Sequence, residues 1–314
     1  MKNGVLADVA SAAKHLSSLI GADGTDVTLF DEVVAAMHVV CSRIAAAERA
    51  ACDVSAIREA SRPAHHAHAE SPFVRRLQTW PRGYPGDFET IEYLLSQRVQ
   101  GPCSTFGYWV EYYALGTLIA QQHRNKIAAQ ARELARLLSD CAGTPRVLVI
   151  AAGSSPDLAL VEALIRNREC RVVLNDGDQE ALAFSLRRLD AVAHLISAVH
   201  GNAITSAVKL ARFGPFDLVV AGGLFDYLPD RLVCSLTRSV WERLLAPGGR
   251  FFFTNLGRNP YRIWMEYMAN WRLIERSEVA LRQLVMSACG SDAGFSAVQD
   301  PTGLSWLVSV DRPT

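Results

Sequence analysis

A chain of 314 residues with 32 basic and 32 acidic side chains has no net field with which to attract nucleic acid. Half of its residues are hydrophobic, enough for one large core or two modest ones, and no apolar run approaches the ~18 residues of a membrane span. The seven cysteines are scattered without a CxxC pair, which supports neither a zinc ribbon nor a disulfide framework and is consistent with idle thiols in a reducing cytoplasm.

Residues 1–60 read as helices, with apolar residues at helical spacing through Val33, Val34, Met37, Val40, Ile44 and Ala47. Asp31 stands where it would cap the second helix. Pro63 is expected to break the pattern. His65, His66 and His68 after it read as a solvated loop, because no carboxylate or cysteine stands at ligand spacing; no metal site is expected. Next, Pro81, Gly83, Pro85 and Gly86 force an irregular turn that carries Arg82, Tyr84 and Asp87. Asp87 is placed to cap a helix through Phe88, Ile91 and Leu95, and the same carboxylate could meet a ligand.

The densest aromatic stretch is Thr105–Tyr113. Tyr108, Trp109, Tyr112 and Tyr113 read either as ordinary core or as the walls of a ligand pocket, where electron-rich rings attract a cation. A helix from about Leu115 to Leu138 then leads to the first strand.

The stretch from Val147 to Asp176 organises the rest. An apolar run (Val147–Ile150) meets Ala151-Ala152-Gly153-Ser154-Ser155, a helix follows, and a second apolar run (Val172–Leu174) ends at Asn175-Asp176. That is the plan of a βαβ unit binding a nucleotide-like ligand at its carboxyl edge, with a carboxylate ~20 residues past the glycine to accept ribose hydroxyls. The motif keeps only one glycine of Gly-x-Gly-x-x-Gly, so a pyrophosphate would be poorly served. S-adenosylmethionine, which has a sulfonium and an amino acid in place of phosphates, needs less.

Beyond Asp176 the alternation continues. A helix is expected over 179–189 and a short strand over 194–199, ending at Gly201-Asn202-Ala203. A buried strand Phe216–Ala221 runs into Gly222-Gly223-Leu224-Phe225-Asp226-Tyr227-Leu228-Pro229-Asp230. A helix over about 231–245 leads to a tight turn, Ala246-Pro247-Gly248-Gly249, and the strand 250–255. A helical region around Trp264–Trp271 and a terminal hairpin (295–298 with 305–310) complete the chain.

These residues resemble the class I S-adenosylmethionine-dependent methyltransferases. The resemblance rests on the turn at Gly153, on Asp176, on Gly201-Asn202-Ala203, on Phe216–Val220 and on Leu245–Gly249. Pro81–Asp87, Gly223–Asp230 and Trp264–Ile274 look like the bacterial branch that includes the enzymes forming 3-hydroxypalmitate methyl ester. The chain also looks similar to azetidine-2-carboxylate synthases. The resemblance implies an α/β fold: a Rossmann-like, seven-stranded methyltransferase sheet over 141–314, its last strand antiparallel, with an N-terminal helical lid or roof over 1–140. It implies S-adenosylmethionine as cofactor, held by Ala152, Gly153, Asp176, Gly177, Asn202, Ala203, Gly222 and Asp87, with Asn202 where the family usually has an acidic residue. Tyr84, Tyr108 and Tyr112 are the candidate catalytic side chains.

The expected activity is methyl transfer to a small-molecule or fatty carboxylate. Cyclisation of the cofactor itself to azetidine-2-carboxylate, with release of methylthioadenosine, is the alternative, and a non-catalytic cofactor-binding protein is a second. The expected partners are a small molecule, or none beyond the cofactor, in the cytoplasm. Nucleic acid and a membrane span are not expected, and a homodimer is left open.

Overall fold

In the computed structural model, which describes residues 2–21 and 27–314, the chain divides into two compact units. One holds Met1–Gln121 and a returning segment, Pro260–Arg272; the other holds Gln122–Asn259 and Leu273–Thr314. No helix among the described residues is long and apolar enough to cross a membrane.

The second unit is a seven-stranded sheet: β1 Arg146–Ile150, β2 Arg171–Asp176, β3 Ile196–His200, β4 Phe216–Ala221, β5 Leu245–Leu256, β6 Gly294–Gln299 and β7 Ser305–Asp311. The order is β3-β2-β1-β4-β5-β7-β6, with β1 to β5 parallel and β7 antiparallel to both of its neighbours. This is the sheet the sequence implied, including the reversed last strand and the terminal hairpin. Its central strands are near-continuous apolar runs because both faces are covered. Val147, Val149, Leu218 and Val220 pack with Leu134, Leu138 and Ile165 on one face. Leu148, Ile150, Val219 and Ala221 pack with Phe225, Leu236 and Val285 on the other.

Ala246–Gly249 is not a turn ahead of a strand. It is a bulge inside β5, whose pairing with β4 jumps from Phe216↔Leu245 to Leu218↔Arg250. Gly248, at φ 73°, makes the reversal, and the C-terminal segment seals it: Gly248 N–H donates to Arg312 O (3.1 Å) and Arg312 N–H to Gly249 O (2.9 Å).

The first unit is helical, and three local expectations are corrected there. Asp31 lies one turn inside the helix Val27–Arg49 rather than at its cap. Pro63 lies inside the helix Val54–His68, so the histidines are helical, and His68 is fully buried. Ile57, Ser61, Ala64 and His68 form one buried stripe across the proline, and that packing outweighs its cost of about 3 kcal/mol. The aromatic stretch is itself a helix, Phe106–Gly116, and the next helix, Leu118–Asp140, starts after a break at Thr117.

Within that aromatic helix the organising residue is Glu111, fully buried. One carboxylate oxygen accepts from the Tyr93 hydroxyl and from Gln100 N–H, both at 2.6 Å; the other accepts from the Ser71 hydroxyl (3.3 Å) and Phe73 N–H (3.4 Å). It ties four segments together and leaves no lone pair idle. Glu111→Ala strands these donors in a dry site and is expected to destabilise the helical unit by about 3 kcal/mol or more. Thermal unfolding checks this, and Glu111→Gln should lose less; a melting curve unchanged by the alanine variant would contradict the assignment.

Candidate active site

The strand order makes β1 the switch point of the sheet. Its neighbours are β2 on one side and β4 on the other, so the chain leaves it in opposite directions and opens a crevice beyond the carboxyl ends. The registers end at Ile150↔Asn175 and Val149↔Val220, so the turn after β1 leaves the sheet between Asp176, the last residue of β2, and Gly222, the residue after β4.

The turn that closes β1 is strained and pinned. Ala151 (φ 51°), Gly153 (φ 56°) and Ser155 (φ 49°) are all left-handed, and two of them carry a Cβ. Such conformations cost about 1–2 kcal/mol each for non-glycine residues and persist only where the surroundings hold them. Here Ala152 N–H donates to Asn175 O (3.1 Å) and Gly153 N–H to Asp176 Oδ2 (2.8 Å). From the helix Gln179–Arg188, the Ser185 hydroxyl donates to Gly153 O (2.8 Å) and the Arg188 guanidinium to Ser154 O (3.0 Å).

Asp176 ends β2 only 9 % exposed. Its second oxygen accepts from Asp178 N–H at 2.8 Å. Burial raises its carboxyl above the ordinary carboxylate range, against the pull of these backbone N–H groups, and the Asp178 charge adds to the rise. Each oxygen keeps acceptor capacity. Beside it, Gly177 has open space around its Cα. Next along, Gly201 N–H donates to Asp176 O (2.9 Å), and Asn175 donates its amide to Val199 O and Gly201 O, both at 2.9 Å. The exposed Asn202 uses its carbonyl oxygen to accept from Ile204 N–H (2.8 Å), which shapes the loop that carries Ala203. The structure thus brings Ala152, Gly153, Asp176, Gly177, Asn202, Ala203 and Gly222 to one edge of the sheet.

The sequence pattern gives no sign of a second group at this edge. From Gln122 onward the helix Leu118–Asp140 belongs to the sheet unit, and Gln122, Lys126 and Gln130 recur every fourth residue on one face. Gln122 accepts from the Ser305 hydroxyl at the start of β7 (2.6 Å). Lys126, 3 % exposed, bonds Asp226 at 2.6 Å in the turn that follows β4. Asp226 also accepts from Leu256 N–H (2.6 Å) and the Asn255 amide (3.2 Å). Arg276 completes the network, donating to Asn255 Oδ1 (2.7 Å), Phe225 O (2.8 Å) and Asp230 (2.9 Å). The Gly223–Asp230 motif is therefore spent on fixing this turn. Gln130 lies against Gly222, where a Cβ would overlap its amide. Among the described residues no cluster of His, Cys, Asp and Glu could hold a metal ion.

Tyr84, Asp87, Tyr108 and Tyr112 all belong to the helical unit. Asp87 caps the helix Phe88–Ser96 as expected: its Oδ1 accepts from Thr90 N–H (2.9 Å) and Arg76 (2.7 Å), while its buried Oδ2 has no partner among the described residues. Tyr84 is partly exposed on its turn. Tyr108 stacks on Tyr112 with ring centroids 6.4 Å apart, Trp109 meets Tyr112 edge-on, and Tyr112 is 51 % exposed. Tyr113 pairs instead with His38 at 2.9 Å.

No family model matches the chain, and no curated protein does. Solved structures do. The chain is similar to a possible exported protein from Bordetella parapertussis, at 21 % identity and a TM-score of 0.59, over 99 % of this chain and 97 % of that one. It is more distantly similar to magnesium protoporphyrin IX methyltransferase from Synechocystis PCC 6803 with bound SAH, at 10 % identity and a TM-score of 0.49, over 62 % of this chain and 87 % of that one. A further match is the CMeT domain of the citrinin polyketide synthase, at 12 % identity and a TM-score of 0.48, over 62 % of this chain and 57 % of that one. At these identities the first likeness establishes a shared fold.

The residue after the turn supplies a test of how the turn is held. Asp157 is buried, its Oδ2 has no partner among the described residues, and burial pushes its carboxyl up to about 6, against backbone N–H bonds and the Arg188 charge. A carboxyl raised on folding gives stability that is complete below its unfolded value near 4 and is lost as pH rises through about 6. Between those values each step of one in pH is worth ~1.4 kcal/mol, so stability should fall by about 3 kcal/mol from this group. Asp157→Asn should flatten that slope in denaturant titrations across the same range; an unchanged slope would mean that Asp157 ionises freely.

Proposed function

We propose that this chain binds S-adenosylmethionine along the carboxyl edge of its sheet and transfers the methyl group to a small-molecule or fatty carboxylate. The observation that carries the reading is Asp176: a buried carboxylate at the end of β2, beside the switch point, clamped to Gly153 yet retaining acceptor positions on both oxygens. That is the acceptor a ribose diol requires. The open space at Gly177 and the small side chains of Ala151 and Ala152 let a nucleoside approach the backbone.

The same geometry disfavours a dinucleotide. Gly153 N–H, which would face a pyrophosphate, is consumed by Asp176, so a phosphate there would meet a carboxylate. The helix that follows, Pro156–Leu160, has five residues and a proline at its start, so it offers few free N–H groups. A ligand whose non-nucleoside part is a sulfonium and an amino acid avoids that repulsion.

The cofactor supplies an already activated methyl group, so the protein's task is placement and exclusion of water rather than proton transfer. A carboxylate acceptor needs no general base. The buried groups beside the edge fit that economy: Lys126 is tied to Asp226, and the His123 imidazole is held neutral, its proton affinity driven well below the ordinary value by burial and by the nearby Lys126 and Arg124 charges.

The decisive experiment incubates the full chain with S-adenosylmethionine alone and with a panel of carboxylate acceptors. Acceptor-dependent formation of S-adenosylhomocysteine is the expected result. Methylthioadenosine released from the cofactor alone would instead indicate cyclisation, and binding without turnover a non-catalytic protein. Asp176→Asn keeps an acceptor for only one of the two backbone N–H groups, so its melting temperature is measured beside its affinity to separate folding from binding. It should weaken S-adenosylhomocysteine binding by about tenfold or more, the loss of a charge-assisted hydrogen bond worth ~1.5–3 kcal/mol. Unaltered affinity by calorimetry would remove Asp176 from the site.

A further inference from the structure

Of the Gln122–Lys126–Gln130 row, Gln130 is the member beside Gly222 whose amide oxygen and nitrogen are both unengaged, whereas Gln122 leaves only its buried Nε2 without a partner among the described residues. Gln122 is held by Ser305 and Lys126 by Asp226. Gln130 is 8 % exposed, and its amide makes no side-chain hydrogen bond among the described residues. The stem of the side chain is buried, while its amide end keeps two donors and an acceptor available to a ligand at this edge.

Gly222 supplies an independent observation. It is not among the glycines with a positive φ, so its backbone conformation is open to any residue. What requires glycine there is space: a Cβ would overlap Nε2, Oε1 and Cδ of Gln130. The last residue before the Gly223 turn is thus glycine so that the amide can reach the sheet edge.

Where the amide reaches follows from the register. Asp176 ends β2 and Gly222 follows β4, the strands on either side of β1, so they lie about two strand spacings, ~10 Å, apart across it. A nucleoside whose ribose lies on Asp176 has two ways to extend. Toward β3 it meets the exposed Asn202 loop. Toward β4 it crosses the small residues that end β1 and arrives at Gly222 and Gln130.

Resting on the function proposed above, we infer that Gln130 holds the amino-acid head of the adenosyl ligand, and that Gly222 is glycine to admit it. A primary amide carries both donors and an acceptor, so it can give a hydrogen bond to the α-carboxylate and take one from the α-ammonium. Being neutral, it opposes neither charge. By this placement Gln130 positions the sulfonium through the ligand's own chain.

The test compares two ligands on the full chain by calorimetry: S-adenosylhomocysteine, and 5′-methylthioadenosine, which keeps the nucleoside and lacks the amino-acid head. Gln130→Leu is expected to weaken S-adenosylhomocysteine by about tenfold while methylthioadenosine stays within about twofold, a tenfold change being ~1.4 kcal/mol. Gly222→Ala, which retains the glutamine but displaces its amide, is expected to act in the same selective way. Gln130→Glu, of nearly the same shape, keeps the test valid should the leucine variant fold poorly; its charge repels the α-carboxylate and should again spare methylthioadenosine. Equal losses for both ligands, or unchanged S-adenosylhomocysteine affinity in these variants, overturns the assignment of Gln130 while leaving the function intact. Failure of the unaltered chain to bind either nucleoside overturns the function and this inference with it.

Discussion

The ion pair between Lys126 and Asp226 is the constraint on which the carboxyl edge of the sheet depends. Both side chains are almost wholly buried, 2.6 Å apart, and taking two charges out of water costs several kcal/mol for each. The pair persists because Asp226 is saturated by Leu256 N–H and the Asn255 amide as well as by the ammonium. Arg276 secures Asn255 and the carbonyl of Phe225 in turn. Phe225 anchors the same turn from below, its ring 4.5 Å from that of Phe253 in the opposite-face core. A helix face is thereby locked to the turn that ends β4. Gln130, one turn beyond Lys126, inherits its place against Gly222 from that lock. An apolar pair would fill the volume at lower electrostatic cost, but it would not fix the helix's rotation, and rotation decides where a glutamine amide points.

On the other side of β1 the constraint is backbone strain held by hydrogen bonds. A turn with two non-glycine residues in the left-handed region would relax if left alone. Asp176 prevents this by accepting from Gly153 N–H, and Ser185 and Arg188 hold the carbonyls of Gly153 and Ser154. One glycine therefore suffices where a dinucleotide motif uses three. The missing glycines would have brought backbone N–H groups close to phosphates, and here the nearest N–H is already occupied. The carboxylate that shapes the turn is also the one proposed to accept a ribose, so turn geometry and the proposed ligand acceptor rest on a single side chain.

The sheet was legible in the sequence because its determinants are local. Val147–Ile150, Val172–Leu174 and Phe216–Ala221 are unbroken apolar runs that stop at polar or small residues, and strand and crevice follow from that alone. Asp176 was legible because its distance along the chain from Gly153 reports on one βαβ unit. What is not legible is non-local or overridden by packing. Lys126 and Asp226 are separated by 100 residues, and neither stands in a pattern that calls for the other. Glu111 is hidden among aromatics, yet its four bonds, rather than the tyrosines, explain that helix. Pro63 misleads because the buried stripe around it exceeds the cost of one missing hydrogen bond. Ala246–Gly249 is recognisable as a reversal, but not as a bulge within a strand, because the residues that seal it come from the C-terminus.

Gly153 and Gly222 show that the two ends of the proposed ligand are specified by different physics. Gly153 is a conformational glycine: its φ of 56° turns the chain, and the bond to Asp176 follows from the turn. Gly222 is a spatial glycine that yields room to a side chain from a helix. In the proposed binding mode the nucleoside end meets backbone and carboxylate at β2, elements welded into the sheet. In that proposal the sulfonium end is read by Gln130, whose position depends on helix packing and on the buried Lys126–Asp226 pair. Changes at the first end should alter affinity for every adenosyl ligand alike. Changes at the second should alter alignment of the methyl donor, and so act on turnover and on amino-acid-bearing ligands selectively. For the proposed reaction, placement would depend on how firmly Lys126 and Asp226 hold their helix.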